Sequence, residues 1–325
     1  MLTLRISMDE LSRRQLMAEI ASLYYIEKKT QAKIGKDFGY SRSAISRLLL
    51  KAEKERIVKI SIDYPIQRDS YLEQRLVNEF DLEAAYVIKR KQYTYDQALR
   101  MVGRVGAMYL EQHIQGGMVI SIGWGTAVFE VVNALPHLPL ENVRIAQVMG
   151  ANGSKSNTQI DGPEIASFLA SKLNGSYQVL HSPLFLDSET ACSLLKSQKQ
   201  IRETFNLAYQ SDFVLLGVGT IDIDPKISSI FRSGFINEKE VMDIKKKGGI
   251  GNFCGIIIDK NGQVMNIEIN HRTMAVDLSK LRNNKRKIIG VAAGYEKSEA
   301  IKAVLNGRWL DVLITDQMAV NSIFN

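Results

Sequence analysis

The sequence predicts a small all-helical N-terminal domain followed by a larger α/β domain built on a doubly wound, mostly parallel sheet. Three observations lead there. The chain has 325 residues and 45% hydrophobic content, enough for two domains that each bury a core. Its charge is uneven: residues 1–62 hold 13 Lys or Arg against 7 Asp or Glu, a net +6, while residues 63–325 hold 29 against 28, a net +1. From Ala85 onward, short apolar runs alternate with helix-period segments, the pattern of strands joined by crossover helices.

Taken in order, Met8 to Lys29 repeats apolar residues at three and four residue spacing through Leu16, Ile20 and Leu23, which predicts an amphipathic helix. Thr30 is placed to cap a second helix with Ile34 and Phe38 inward, and Gly39 supplies the permissive backbone of a tight turn. Ser41 is placed to cap a third helix, with Ile45, Leu48, Leu49 and Ala52 on one face, Ser43, Arg47 and Lys54 opposite, and Ser46 at the edge. This is the layout of a helix-turn-helix that sets its last helix in the DNA major groove.

The candidate DNA-binding residues are Gln31, Ser41, Arg42, Ser43, Ser46, Arg47, Lys51 and Lys54. Arginine can bond guanine O6 and N7 in a bidentate pair, so Arg42 and Arg47 are the specificity candidates; Lys51 and Lys54 suit phosphates. Double-stranded operator DNA is the expected partner, because a basic module on a near-neutral body has an electrostatic reason to bind a duplex. On charge alone, a solvated lysine-rich surface is the competing reading.

Ile57 to Ile62 alternates like a short strand, and residues 63–69, with Pro65 inside, read as a linker, giving domains of 1–62 and 70–325. In the larger domain the expected helices are Tyr71 to Phe80, Asp96 to Gln112, Ala127 to Leu135, Glu164 to Leu173, Glu189 to Leu207 and Glu296 to Leu305. The expected strands are Ala85 to Ile88, Met118 to Ile122, Val143 to Met149, Phe213 to Leu216, Gly255 to Ile258, Lys287 to Ala292 and Val312 to Thr315.

Open parallel sheets bind ligands at the carboxyl ends of their strands. Two glycine-rich stretches fall there, Gly123-Trp124-Gly125-Thr126 and Gly217-Val218-Gly219-Thr220, and both are expected as loops. The first opens a helix, whose free N-H groups and dipole favour an anion such as a sugar phosphate. Asp222 and Asp224 weaken that argument for the second. Val128 stands where a dinucleotide fingerprint requires a third Gly or Ala, so that site is a poor match. Glycines needed only for tight turns are the alternative for each loop alone. Lys297, opening a helix after the strand ending at Ala292, is a third candidate, able to neutralise a phosphate.

The stretch SRSAISRLLLKAEKERIVKISI resembles the N-terminal domain of SorC-type bacterial transcriptional regulators, which respond to sugars. SIGWGTA, DFVLLGVGT, GGIGNFCGIIIDKNG and AAGYEKSEAIKAVLNGRWLDVLITD are similar in order and spacing to the effector-binding domain of that family. The resemblance implies a fold related to sugar-phosphate isomerases, and a homo-oligomer with a tetramer expected. It also implies a sugar, sugar phosphate or polyol effector, with Gly125, Thr126 and Lys297 at its phosphate and Gly251 and Asn252 at its hydroxyls. The candidate effector-binding set is Gly123, Gly125, Thr126, Met149, Gln159, Gly217, Gly219, Gly251, Asn252 and Lys297. Two positions depart from the family: Asn252 replaces an acidic residue, and Met149 replaces a Lys or Arg, which argues for a monophosphate or uncharged polyol over a bisphosphate.

An isomerase or deaminase-like enzyme carrying a DNA-binding appendage is the alternative. It needs a positioned acid and base, which His113, His137, His181 and His271 do not display in sequence and which Asp222, Asp224 and Asp259 could supply. The N-terminal module would have no purpose in it, so a non-enzyme is expected, with no catalytic residue, metal or cofactor. No run of 18 apolar residues and no signal-peptide core between Met1 and Arg14 is found, which predicts a cytoplasmic chain with no membrane partner. Cys192 and Cys254 are too few and too far apart for a disulfide framework or zinc site, and both are expected as buried thiols.

Overall fold

The caps written into the N-terminal sequence are formed. In a computed structural model that describes residues 8–55, 57–58, 65–89, 94–153, 160–282 and 286–324, helix α1 (Met8–Ala21) passes into a π-helical turn, Ser22–Ile26. The Thr30 hydroxyl then accepts from Lys33 N at the start of α2 (Gln31–Phe38), and Gly39 takes φ +72 at its end. Ser41 accepts from Ala44 N to start α3 (Arg42–Lys54). Gly35 is a further requirement of the turn: a Cβ there would lie 2.5 Å from Tyr40 O. Ile20, Ala21, Ile34, Ile45 and Leu49 form the core of this unit, with Leu16, Phe38 and Leu48 packed around them. The strand expected at Ile57 to Ile62 lies mostly outside the described residues.

The chain divides into two compact units, Met1–Pro65 and Ile66–Asn325. Residues 66–69, expected in a linker, are instead built into the second unit. Arg68 bridges to Ile88, Lys89 N donates to Gln67 O, and Asp69 caps α4 (Ser70–Phe80). The Arg68 guanidinium grips the buried Glu73 carboxylate with bonds of 2.7 and 2.8 Å, and Glu73 also accepts from Val87 N.

The second unit then runs through β1 (Ala84–Ile88), α5 (Tyr95–His113), β2 (Val119–Ile122), α6 (Thr126–Ala134), β3 (Arg144–Gln147), α7 (Gly162–Leu173) and β4 (Ser176–Gln178). It continues with α8 (Glu189–Lys196), α9 (Lys199–Ala208), β5 (Phe213–Thr220), α10 (Ser229–Arg232), α11 (Glu238–Lys246), β6 (Gly249–Phe253) and β7 (Ile256–Asp259). It closes with α12 (Glu268–His271), α13 (Leu278–Leu281), β8 (Lys287–Val291), a 3-10 turn at Tyr295–Lys297, α14 (Ser298–Asn306), β9 (Val312–Asp316) and α15 (Gln317–Phe324).

Strands pair in the order β1-β9-β8-β5-β2-β3-β4, all parallel, with β6 and β7 added as an antiparallel hairpin on the end of β5. The central strands β5 and β8 are almost wholly buried and the helices cover both faces, as a parallel sheet requires.

Three expectations change. The helix expected over Glu189 to Leu207 breaks at Ser197 and Gln198, where the Gln198 backbone turns extended at ψ 140. Val143 to Met149 is a shorter strand, with Met149 bridging instead to Ala275. Gly217 to Thr220 is not a loop: β5 runs through it, and Val218 to Thr220 pair antiparallel with Phe253 to Gly251. Both cysteines are free and buried. Among the described residues no helix is long and apolar enough to cross a membrane.

Candidate effector cleft and DNA-facing helix

Adjacent strands β8, β5 and β2 end together, and the chain diverges there, from β2 outward to β3 and from β5 outward to β8. A cleft opens at this switch point. Its lining takes in Gly123, Gly125, Thr126, Met149, Gly217, Gly219, Asn252 and Lys297, eight of the ten positions singled out from sequence. Gly251 is not among them. It lies flush between strand and helix, where a Cβ would sit 2.6 Å from Ala300 Cβ and 2.8 Å from Gly219 O. Gln159 lies outside the described residues.

One wall is the turn from β2 into α6. Trp124 is buried and donates from Nε1 to Gly150 O at 2.8 Å, which pins the loop. Gly125 takes φ +125, a conformation that L side chains rarely adopt, and sets the first turn of α6 on the cleft. The first amides of a helix have no intrahelical acceptor, and Thr126 and Ala127, which open α6, line the cleft, where such amides favour an anion. At Gly123 a Cβ would lie 2.9 Å from Leu216 and 3.3 Å from the Met149 sulfur, so the floor is closely packed.

The facing wall is β5 with Asn252 of β6. A Cβ at Gly219 would come within 2.2 Å of the Asn252 amide, so this glycine exists to admit that side chain. Asn252 is 7% exposed, and its Nδ2 has no hydrogen-bond acceptor among the described residues. A buried amide left so is costly, and a ligand oxygen would satisfy it.

Lys297 ends the 3-10 turn and is buried, its Nζ donating to Ile227 O at 2.7 Å. Desolvation, aided by the nearby Arg232 and opposed by Glu296, pushes this lysine down to about 8. Sequence reasoning missed two further cations. Lys226 and Arg232 reach the cleft from the segment between β5 and α11, where Arg232 also donates to Pro225 O at 3.1 Å. The only advance signal for them was their place just after a sheet-end glycine run. Tyr95 joins from the start of α5, its hydroxyl raised by burial and by Glu296 and Asp316. With these included, the described residues lining the cleft hold Lys226, Arg232 and Lys297 and no Asp, Glu or His.

The carboxylates and imidazoles considered for catalysis are elsewhere. Asp222 pairs with Lys245 at 2.8 Å, which lowers its pKa, and Asp259 accepts from Asn261 N and Gln263 N in a turn. His113 bonds Tyr109 O and His271 bonds Asn266.

In the first unit, Arg42, Ser43, Arg47 and Lys54 are exposed on α3, with Ser46 and Lys51 half-buried beside them and Gln31 half-buried at the start of α2. The exposed Ser41 bonds Ser43 at 2.9 Å besides capping the helix, and Lys51 pairs with Glu55 at 3.3 Å.

The family model described as "Putative sugar-binding domain" matches residues 64–325. The chain belongs to the SorC family. SorC relatives match it along nearly their whole length. The deoxyribonucleoside regulator of Bacillus subtilis is 27% identical over 314 residues, 96% of this chain and 98% of that protein. The sorbitol operon regulator of Klebsiella pneumoniae is 27% identical over 309 residues, 93% of this chain and 95% of that one. The crystal structure of the full-length sorbitol operon regulator SorC from Klebsiella pneumoniae superposes with a TM-score of 0.71 at 26% identity, over 97% of this chain and all of that one (100%). As a SorC protein this chain is a transcriptional regulator carrying a sugar-binding domain.

Proposed function

We propose that the cleft binds a phosphorylated sugar or polyol, and that its occupancy controls how α3 engages operator DNA upstream of carbohydrate-utilisation genes. The observation that carries the reading is the charge of the cleft: Lys226, Arg232 and Lys297 converge there with no carboxylate among the described lining residues. A neutral sugar would leave that charge unanswered, whereas a phosphate seated between Lys297 and the first turn of α6 meets both a cation and free amides. Asn252, whose amide can donate and accept, faces the hydroxyl-bearing part of the ligand. The regulators of sorbitol and deoxyribonucleoside genes among the relatives support the effector class.

The assignment of residues follows from this. Arg42, Ser43, Ser46 and Arg47 face base edges, while Gln31, Ser41, Lys51 and Lys54 hold the backbone of the duplex. The protein acts in the cytoplasm as a homo-oligomer, a tetramer, which sets several recognition helices on a repeated operator. A role without catalysis is supported by the names of the relatives, which are those of transcriptional regulators.

A melting-temperature screen of sugars against their phosphates tests the proposal. A ligand at 100 times its Kd stabilises the folded state by about 2.7 kcal/mol, so a phosphorylated member should raise Tm by several degrees and Lys297→Met should abolish the rise. The same compound must change DNA affinity, and DNA must change its affinity by the same factor. Equal shifts with the unphosphorylated sugars, or a Tm shift with no effect on DNA affinity, would sink the reading.

A further inference from the structure

Helix α3 carries three consecutive leucines, and they do not share one environment. Leu49 is 3% exposed in the core and Leu48 packs beside it, but Leu50 is 63% exposed. An exposed leucine by itself is ordinary. Its position is not. At 100° per residue, Ser43, Arg47, Leu50 and Lys54 form one ridge within about 60° of arc, opposite the buried Ile45, Leu49 and Ala52. Leu50 therefore stands along the helix between Arg47 and Lys54, on the same face, within the first 62 residues that hold +6 of the chain's +7.

We infer that Leu50 is a specificity-determining residue that packs against the 5-methyl group of a thymine in the major groove. This rests on the reading of α3 as the DNA-facing helix. The thymine methyl is the apolar feature of the major-groove edge, where the other groups are donors and acceptors. A leucine pressed over the amino group of cytosine or adenine would desolvate that group and return no hydrogen bond, so it discriminates by penalty as well as by contact. Three residues of helix advance about 4.5 Å, a little more than one base-pair step, which puts the thymine one or two steps from the base pair that Arg47 contacts.

The test uses the full-length protein and duplexes that it enriches from a random DNA library. Each thymidine is replaced in turn by deoxyuridine, which keeps every hydrogen-bonding group and removes only the methyl. The expected result is one position per half-site, within two base pairs of the one affected by Arg47→Ala, at which the replacement weakens binding about fourfold. Leu50→Ala should bind the thymidine and deoxyuridine duplexes alike while keeping the parent's melting temperature, since alanine suits an exposed helix position. If no deoxyuridine position weakens the parent, or if Leu50→Ala keeps the sensitivity, Leu50 does not read the methyl. If Leu50→Ala alters the sedimentation mass with sequence preference intact, the face joins copies of this chain and the inference falls. Enrichment of no duplex at all overturns the reading of α3 as DNA-facing, and this inference with it.

Discussion

Gly123-Trp124-Gly125-Thr126 and Gly217-Val218-Gly219-Thr220 have the same glycine spacing, lie at the carboxyl ends of neighbouring strands and contribute to the same cleft, yet they adopt different structures. The first turns sharply into α6 and the second continues as strand into a pairing with β6. The glycines serve opposite needs. At Gly125 the backbone sits at φ +125 with nothing within 4 Å of a Cβ, so only the torsion demands glycine. At Gly219 no unusual φ is involved, and the demand is room for Asn252. Glycine spacing therefore records where the chain is constrained and does not say whether the constraint is torsional or spatial.

Substitutions can break that contrast. The largest effect is expected from Gly219→Val, whose branched side chain must displace Asn252 and the β5–β6 pairing. Overpacking of this kind costs about 3 kcal/mol. Denaturant unfolding should read that loss, and effector-induced stabilisation should disappear with it.

Next comes Lys297, the cation shared by the cleft that both segments line. Its folded pKa, about 8, lies below the unfolded value, so the unfolded chain binds more protons between the two. The penalty of the buried ammonium is fully present below pH 8 and is relieved as pH rises toward the unfolded value. Stability of the free protein should therefore gain about 2 kcal/mol from this group between pH 7 and 10. Lys297→Met should remove that component of the pH profile, and a bound phosphate compound should flatten it by holding the ammonium charged. An unchanged profile in the variant would refute the burial argument.

Gly125→Ala should cost about 1–2 kcal/mol through backbone strain alone. Because nothing would collide, ligand affinity should fall with the mis-set first turn of α6 and not with a blocked cleft. Gly217→Ala is the smallest change: a Cβ there meets its nearest atoms at 3.9 Å, so stability should move by less than about 0.5 kcal/mol. A large loss at Gly217 would show that the two segments are constrained alike after all.

The parts of this molecule that were legible in its sequence are those encoded by local chemistry. Thr30, Gly39 and Ser41 cap and turn α2 and α3 as their side chains require, and the alternation of apolar runs discloses the parallel sheet. What escaped detection depends on distant partners. Gly217 to Thr220 reads as a glycine-rich loop until β6 is known to pair with it. Lys226 and Arg232 carry no local mark of a binding residue, since only the path of the chain between β5 and α11 brings them to the cleft. Leu50 belongs neither to the inward face nor to the DNA-binding set read from the sequence, because an exposed apolar side chain carries no local mark of a base contact.

The Arg68–Glu73 pair bears on how such a protein can be recombined. Glu73 is 7% exposed, and Arg68 is the cation that answers its charge. A graft that replaced everything before Ser70 with a different DNA-binding module would strand this carboxylate and remove the Asp69 cap of α4. An uncompensated buried charge costs about 3–5 kcal/mol. Exchange of modules is therefore tolerated only where the seam lies before Ile66, and the portable cassette begins several residues earlier than its first helix.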